Sequence, residues 1–249
     1  MKLLCSLVLT LCVLLSFASC AWSILPEPSE TLTIKAPIEP LSTAPATEAP
    51  TAPPTTEAPT EPPKRQRIDM ETAVGSTDGN TYSNTVIGTI CTLDEDWYVL
   101  NKEELVDYYA YSIESYEDYY KQILENQGSP IIFSAMTYDA LDVISITLYR
   151  SSYFAHLTGG EPRIAEKMLS NQKRQAPSLG IEIDELGTDT VTLAGQEHAC
   201  VILSGWIGEQ PLYMETVVVY TDQYTYFVTV QCLFEDRCDE LLQYFKSPL

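Results

Sequence analysis

The sequence is poor in histidine, in basic residues and in long apolar runs. Its 249 residues include two His, and 14 Lys plus Arg stand against 35 Asp plus Glu, which gives a formal net charge of −21. Because a strongly negative surface repels phosphate, this composition argues against nucleic-acid binding. Two histidines leave little room for a multi-histidine metal site or for histidine-based catalysis. We therefore predict no cofactor, no metal and no nucleic-acid partner.

A long apolar run occurs at residues 1–20, MKLLCSLVLTLCVLLSFASC. One lysine precedes an apolar stretch that is too short for a stable spanning helix, a pattern typical of a secretory signal peptide. The run ends in Phe17-Ala18-Ser19-Cys20, which resembles the bacterial lipobox, where the cysteine receives a diacylglycerol group. We expect lipid attachment at Cys20 and a location outside the cytoplasm, anchored to the bacterial cell membrane. The alternative is cleavage after Ala18 or Ala21 and free secretion.

Residues 21–67 are rich in proline and threonine and show no apolar period. Proline removes backbone donors and fixes φ, so this composition predicts a disordered, extended linker. At about 3.1 Å per residue, its proline-rich part at 21–63 would reach on the order of 130 Å, which suits a cell-wall spacer. An O-glycosylated, mucin-like stalk remains an alternative. The basic run Lys64-Arg65-Gln66-Arg67 at its end is interpreted as a solvated junction rather than a processing site.

Residues 68–249 are long enough for one folded domain with a substantial core. Apolar alternation and turn residues predict strands at 85–93, 97–100, 131–138, 141–150, 181–193, 196–206, 212–221 and 224–234. Helical spacing and a cap at Asn101 predict helices over 101–127, 161–175 and 236–245. The short connections within each strand group favour hairpins. The order ββ-α-ββ-α-ββββ-α therefore predicts an α+β fold, an antiparallel sheet covered by helices.

Three short stretches of this domain carry a common pattern: Tyr82, Asn84, Gly88 and Trp97 near its start, then Val191, Leu193 and Gly195, and finally Leu241, Leu242 and Phe245 at its end. This pattern resembles the PsbP-like domains of bacterial lipoproteins. The resemblance implies a PsbP-like α/β sandwich and a non-enzymatic docking role. It transfers no functional residue to this chain.

Tyrosine is frequent, with 16 residues, and several fall in the predicted helix 101–127. The core stripe of this helix is predicted to hold Leu105, Tyr109, Ile113, Tyr116, Tyr120 and Ile123. Tyr108, Tyr111 and Tyr119 are then expected to face outward or to lie at the edge of the stripe. Since tyrosine couples an apolar ring with a hydroxyl, these three form a candidate partner-binding patch. The alternative is an amphipathic helix that packs its boundary with tyrosine.

Three short patterns are compatible with chemistry, and each has a simpler structural interpretation. Ser170-Asn171-Gln172-Lys173 has the Ser-x-x-Lys spacing of a nucleophile and its base, but the companion motifs are missing. His198 and Cys200 would share one face of a strand, yet four-ligand zinc needs two more ligands. Residues 77–80 and 94–96 offer oxygen ligands without a calcium-loop register. We predict no catalytic residue and interpret these segments as helix surface, core and turns.

The four cysteines of the domain, Cys91, Cys200, Cys232 and Cys238, fall at core-like positions. They allow three pairings, and export permits disulfides. Cys232 and Cys238 flank a corner between a strand and a helix and are a candidate pair. The sequence leaves the disulfide state open.

These features favour a surface-tethered, non-enzymatic binding or scaffold lipoprotein, which presents an acidic, tyrosine-rich domain to a protein or to cell-wall glycan. The main alternative is an extracytoplasmic hydrolase that uses a carboxylate pair on cell-wall or exported substrate. A third option is a cation-binding or sensory domain. A deep pocket with one carboxyl of raised pKa would favour the enzyme, whereas a shallow surface with exposed aromatic rings would favour binding.

Overall fold

The computed structural model describes residues 67–108, 118–125, 128–154 and 156–248. The predicted signal peptide, Cys20 and nearly all of the predicted linker lie outside these residues. The helices are α1 (Met70–Val74), α2 (Lys102–Tyr108), α3 (Tyr119–Glu125), α4 (Glu161–Gln175) and α5 (Cys238–Leu242), with 3₁₀ helices at Ser151–Phe154 and Ala176–Leu179. The strands are β1 (Ser76–Asp78), β2 (Thr81–Asn84), β3 (Thr89–Thr92), β4 (Trp97–Val99), β5 (Ile131–Thr137), β6 (Asp142–Arg150), β7 (Ile181–Leu193), β8 (Gln196–Ile207), β9 (Gln210–Tyr220), β10 (Tyr224–Leu233) and β11 (Phe245–Lys246). None of the helices in this part of the chain is long and apolar enough to cross a membrane.

A seven-stranded sheet in the order β4-β5-β6-β10-β9-β8-β7 forms the centre of the domain. Its neighbouring strands are antiparallel throughout. The predicted hairpin of β5 and β6 and the predicted meander of β7 to β10 are both confirmed, because short turns join strands with matching apolar alternation. The α+β class with an antiparallel sheet is therefore confirmed.

Each face of the large sheet is covered by a different layer. A four-stranded sheet, β1-β2-β3-β11, lies over one face, where Tyr82 stacks on Phe133 with ring centroids 4.8 Å apart. Helix α4 lies over the other face, where Ile164 and Met168 belong to one apolar cluster with Phe227. Helix α4 thus covers part of one face, and the second sheet covers part of the other.

The predicted hairpin between residues 85–93 and 97–100 is wrong. β3 belongs to the small sheet, whereas β4 pairs with β5 in the large sheet, with Trp97 opposite Thr137. The chain changes layers at this turn because Trp97 is buried in the core that the two sheets share, edge-on to Tyr244 at 5.7 Å. Burial of a large indole outweighs the local pairing that a short turn would allow.

The predicted helix 236–245 is also too long. α5 ends at Leu242, and Phe245 then pairs with Cys91 as part of β11. This places Phe245, which is buried, in the core beside the small sheet and supplies that sheet with a fourth strand.

The short elements α1, β1 and β2 were not predicted from the sequence. Helix α1 is fixed by side chains from both sheets: the Tyr82 hydroxyl donates to the carbonyl of Val74 at 2.8 Å, and the Asn84 amide and the Tyr226 hydroxyl both donate to that of Ala73 at 2.9 Å. A five-residue helix has too few positions to show a period. These tertiary hydrogen bonds satisfy carbonyls at its C-terminus, and Asp69 caps its N-terminus by accepting the Thr72 N–H at 2.8 Å.

The predicted cap at Asn101 is confirmed. The Glu104 N–H donates to Asn101 Oδ1 at 3.0 Å, and the Asn101 N–H donates to Glu104 Oε2 at 2.8 Å. This reciprocal capping box satisfies a backbone donor at the start of α2 and fixes where the helix begins.

Candidate functional site

The prediction that Tyr119 belongs to an exposed tyrosine patch is wrong. Tyr119 is 0% exposed, its hydroxyl donates to the carbonyl of Ile131 at 3.4 Å, and its ring lies 4.7 Å from that of Tyr120. The reason is the register of α3, whose buried face runs from Tyr119 to Ile123, four residues later, and leaves Tyr120 at the edge. Tyr119 therefore cannot present its ring to a partner.

The other two members of the predicted patch are not placed by the structure. Tyr108 ends α2, but its side chain lies outside the described residues, and so does the whole of Tyr111. Their role in partner binding stays a prediction.

Large exposed aromatic side chains occur elsewhere in the described residues, at Tyr98, Tyr138, Trp206, Tyr220 and Phe234. Tyr138 directly follows β5, Phe234 directly follows β10, and Trp206 lies near the end of β8. Because alternate strands of an antiparallel sheet run the same way, the ends of β5, β10 and β8 lie at the same edge of the large sheet. Exposed rings therefore collect at this edge.

One face of the large sheet is left uncovered near this edge. On β8, Ile202, Ser204 and Trp206 point to the same side, since side chains alternate along a strand. Glu215 lies opposite Ile202 on β9, and Tyr213 lies opposite Ser204. These side chains are half-buried, and Trp206 is 40% exposed. The small sheet and α5 cover the same face farther along, where Cys200 and Val217 are fully buried.

The reverse side of the same strands is fully packed. Leu203, Leu212 and Met214 are buried in an apolar cluster with Ala176 and Ile181. The uncovered face is thus backed by a rigid core and is not a loose edge of the fold.

Carboxylates lie beside both aromatic rings of the uncovered face. Glu185, Glu215 and Asp236 line a small cavity there, together with Ser204 and Tyr213. The Trp206 indole N–H donates to Asp184 Oδ2 at 2.6 Å, which holds the ring in place. We call this surface the acidic aromatic face and define it as Glu185, Ser204, Trp206, Tyr213, Glu215 and Asp236. No lysine or arginine is among the residues that line its cavity.

Glu215 is the electrostatic centre of the acidic aromatic face. Burial, followed by the negative charges of Asp239, Asp236 and Asp189, raises the pKa of Glu215 to about 7. Its Oε2 atom is buried and has no hydrogen-bond partner in the described part of the chain. Both causes disfavour the ionised form of Glu215. A positive charge brought to this surface would therefore be attracted by the neighbouring carboxylates and would stabilise the ionised form.

The raised pKa of Glu215 predicts a pH-dependent stability difference. A carboxyl whose pKa is higher in the folded than in the unfolded state favours folding below about pH 4.5, and this contribution is lost as the pH rises through about 7. We expect Glu215→Gln to raise the free energy of unfolding at pH 8 by about 1–2 kcal/mol, a value reduced for solvent screening of a half-exposed group. Urea unfolding of both proteins at pH 4 and pH 8 measures this, and equal stabilities at pH 8 would contradict it.

The cavity on this face is small for a substrate. Its volume is about 90 Å³, whereas sites for small organic ligands usually measure about 300–1,000 Å³. The face is therefore better suited to contact a side chain or a chain segment than to enclose a molecule.

Two larger clefts, of about 420 and 390 Å³, lie beside α1 and share Val74 and Tyr120 in their lining. Lys102 and Lys121 line the first of them together with Glu71 and Asp118. Because the charges balance, this cleft offers no preference for an ion of either sign.

Ser170 and His198, from the short patterns that were compatible with chemistry, both have structural partners. The Ser170 hydroxyl donates to the carbonyl of Glu166 at 3.0 Å within α4. His198 Nδ1 lies 3.1 Å from both carboxylate oxygens of Glu161, and this carboxylate also accepts the N–H of Tyr220 at 2.9 Å. His198 therefore joins the start of α4 to β8. Within the described ranges, no three His, Cys, Asp or Glu side chains are grouped so that they could hold a metal ion.

Comparison with known proteins gives a likeness of structure but none of sequence. No protein-family model matches the chain. No curated protein matches it either. Among solved structures, it is similar to the solution structure of cyanobacterial PsbP (CyanoP) from Synechocystis, with 12% identity and a TM-score of 0.40, over 70% of this chain and 98% of that one. No residue role follows from this likeness.

Proposed function

We propose that this chain is a surface-tethered, non-enzymatic binding or scaffold lipoprotein whose acidic aromatic face docks a cationic segment of a protein partner. The observation that carries this proposal is the uncovered face itself, where Tyr213 lines a cavity with Glu185, Glu215 and Asp236 on a rigidly packed sheet. The exposed Trp206 lies on the same side of β8 and is bound to Asp184. Aromatic rings supply apolar contact and cation–π attraction, and the carboxylates supply charge complementarity.

Charge decides which class of partner fits this face. The chain carries a net charge of −21, and no basic side chain lines the cavity of the face. Anionic polymers would be repelled, and a neutral glycan would bring no positive charge to offset the negative charges around Glu215. A Lys- or Arg-bearing segment lowers the electrostatic cost of ionised Glu215 as it docks.

The proposed tether consists of Cys20 and the linker at 21–67. A diacylglyceryl group on Cys20 supplies two acyl chains, which is about the number that stable anchoring needs. Cys20→Ala is then expected to release the protein into the medium. Equal partitioning of wild type and variant in detergent phase separation would contradict this.

The docking proposal is tested with two matched double variants. Trp206→Ser with Glu185→Lys removes one ring and reverses one charge on the acidic aromatic face. Tyr220→Ser with Glu197→Lys makes the same changes at the opposite ends of β8 and β9, where Tyr220 is 37% exposed, close to the 40% of Trp206. With an octa-arginine peptide as the probe, calorimetric titration should show affinity weakened about tenfold or more by the first pair and less than about twofold by the second.

Two results of this titration would contradict the docking proposal: equal loss of affinity in both variants, or wild-type binding that does not weaken with salt. Cross-linking on intact cells gives the biological counterpart. A neighbouring protein whose capture is lost only in the Trp206 variant is the partner. Retention on cell-wall glycan that neither variant affects would instead show that this chain binds glycan and not a protein through this face.

A hydrolase is the second candidate function, and one observation favours it. Burial raises the pKa of Glu215 to about 7, and a carboxyl group with such a pKa can act as a general acid. Glu215 shares its cavity with two further carboxyl groups, those of Glu185 and Asp236. The volume of about 90 Å³ argues against it, because a sugar ring or a peptide bond must fit between two carboxyls. If the wild-type protein hydrolysed a cell-wall fragment and Glu215→Gln abolished this activity, the result would favour the hydrolase over the docking protein.

A further inference from the structure

Two cysteine side chains meet at the corner where β10 leads into α5. The Sγ atoms of Cys232 and Cys238 lie 3.9 Å apart, within sulfur–sulfur contact, although the two residues are six apart in sequence. Both side chains are buried in the core cluster that joins the two sheets. Both are free thiols in this structure, as are Cys91 and Cys200.

We propose that Cys232 and Cys238 are an oxidation site and form an intrachain disulfide in the mature protein. A disulfide requires the two sulfurs to approach to about 2.05 Å, which is less than 2 Å of further movement from their contact. The connection 234–237 between β10 and α5 bears the exposed Phe234 and Glu235, so it faces solvent and has room to adjust. Of the three possible partners of Cys232 in the domain, Cys238 is the one with which its sulfur is in contact.

The chemistry requires a disulfide-bearing donor, such as oxidised glutathione or a thiol oxidoreductase. One cysteine thiolate attacks the donor disulfide, which gives a mixed disulfide and releases the first donor thiol. The second cysteine thiolate then attacks the protein sulfur of the mixed disulfide and releases the second donor thiol. Two protein thiols thus lose two electrons and two protons, and the donor disulfide gains both.

The folded protein protects these thiols from attack. The hydrogen bond between the two sulfurs, and then burial, raise the pKa of the Cys238 thiol, which keeps the reactive thiolate scarce. Oxidation is therefore expected while the chain folds, before α5 closes over the end of β10. The experiment accordingly begins from the unfolded chain.

The disulfide would fix the loop that borders the acidic aromatic face. This loop carries Asp236, which lines the cavity of the face, and Arg237, which is paired with the buried Asp142. The proposal does not depend on docking, since the covalent state is measured without any partner.

The test is peptide mapping of the full chain. The reduced, unfolded protein is refolded in glutathione buffers of increasing oxidised fraction, quenched with acid, alkylated under denaturing conditions and digested with trypsin. Cleavage after Arg174, Arg237 and Lys246 yields residues 175–237 and 238–246 as separate peptides, so a bond between Cys232 and Cys238 joins them. We expect the joined pair to be the main form of this region and to be two hydrogens lighter than the sum of the two reduced peptides.

Matched variants separate this bond from the alternatives. Residues 175–237 also contain Cys200, so the joined pair should persist in Cys200→Ala and in Cys91→Ala and should disappear in Cys238→Ala. Because the wild-type map needs no substitution, a variant that fails to fold does not weaken the test. Alkylation of both Cys232 and Cys238 in oxidised, folded wild type would overturn the proposal, and so would loss of the joined pair in Cys200→Ala.

Discussion

Replacing Arg237 by alanine should lower the free energy of unfolding by about 2–3 kcal/mol at neutral pH, because it leaves a buried carboxylate without its counter-charge. Asp142, which is 2% exposed, is paired with Arg237 through Oδ2, and its buried Oδ1 has no hydrogen-bond partner in the described part of the chain. The expected loss lies below that for a fully buried pair, since the Arg237 side chain is itself 41% exposed. Urea unfolding at pH 7 measures it.

The pH dependence of this loss identifies its cause. Burial raises the pKa of Asp142, and the charge of Arg237 opposes that rise. Without Arg237 the carboxyl takes up a proton more readily, so the difference between variant and wild type should shrink as the pH falls toward about 4. Adding Asp142→Asn to Arg237→Ala should recover most of the lost stability.

An exposed ion pair provides the control for Arg237. Arg163 pairs with Glu166 on the surface of α4, where both side chains are more than half exposed. Arg163→Ala is expected to cost less than about 0.5 kcal/mol at every pH, as is usual for exposed pairs. Equal losses for Arg163→Ala and Arg237→Ala would show that burial of Asp142 does not set the effect.

Gly205→Ala should destabilise the domain by about 2–3 kcal/mol, because the added methyl group collides with backbone. A Cβ at Gly205 would lie 2.2 Å from the carbonyl oxygen of Glu182 and 3.2 Å from the Cα of Ile183 on the neighbouring strand. The pairing of β7 with β8 shifts register at this point, between Ile183 and Glu185. The close approach of the two backbones is thus part of the β-bulge that turns β7 beside the acidic aromatic face.

The matched control for Gly205 lies on the same strand pair. At Gly187 an added Cβ would meet only the side chain of Ile202, at 3.8 Å, which is ordinary van der Waals contact. Gly187→Ala is therefore expected to change the free energy of unfolding by less than about 0.5 kcal/mol. If thermal unfolding gave the same midpoint for both alanine variants, the close approach at Gly205 would not be a constraint on the fold.

Local signals in the sequence identified the long elements of this fold. The capping box at Asn101 depends only on residues three apart, and the meander from β7 to β10 depends on alternation within each strand. Such patterns are readable because the interactions that fix them are close in sequence.

The errors occur where a distant contact decides the structure. Trp97 joins the large sheet because its indole is buried in the shared core, and Phe245 leaves the helix because β3 offers it a strand partner. Helix α1 depends on hydroxyl and amide groups from β2 and β10, which no local pattern of Met70–Val74 could indicate. The sequence prediction placed Tyr119 at an exposed edge because it extended a single helical register from residue 101 to residue 127.

The candidate site was foreseen as a type of surface but not as particular residues. The excess of acidic and aromatic residues indicated it, whereas Trp206 and Glu215 were not singled out. One signal was present: along β8 and β9 the apolar Cys200 and Val217 give way to Ser204 and Glu215 on the same face. Only the assembled sheet shows that this change marks the end of the covering layer.

The most direct test of the central claim, that the acidic aromatic face is the recognition surface, is nuclear magnetic resonance mapping of the octa-arginine complex. On titration of the labelled protein, the account predicts shift changes at the Trp206 indole N–H and in the backbone of Tyr213, Glu215 and Asp236, which saturate together and weaken with salt. Shift changes spread evenly over the acidic surface, with none concentrated at the Trp206 indole, would contradict it.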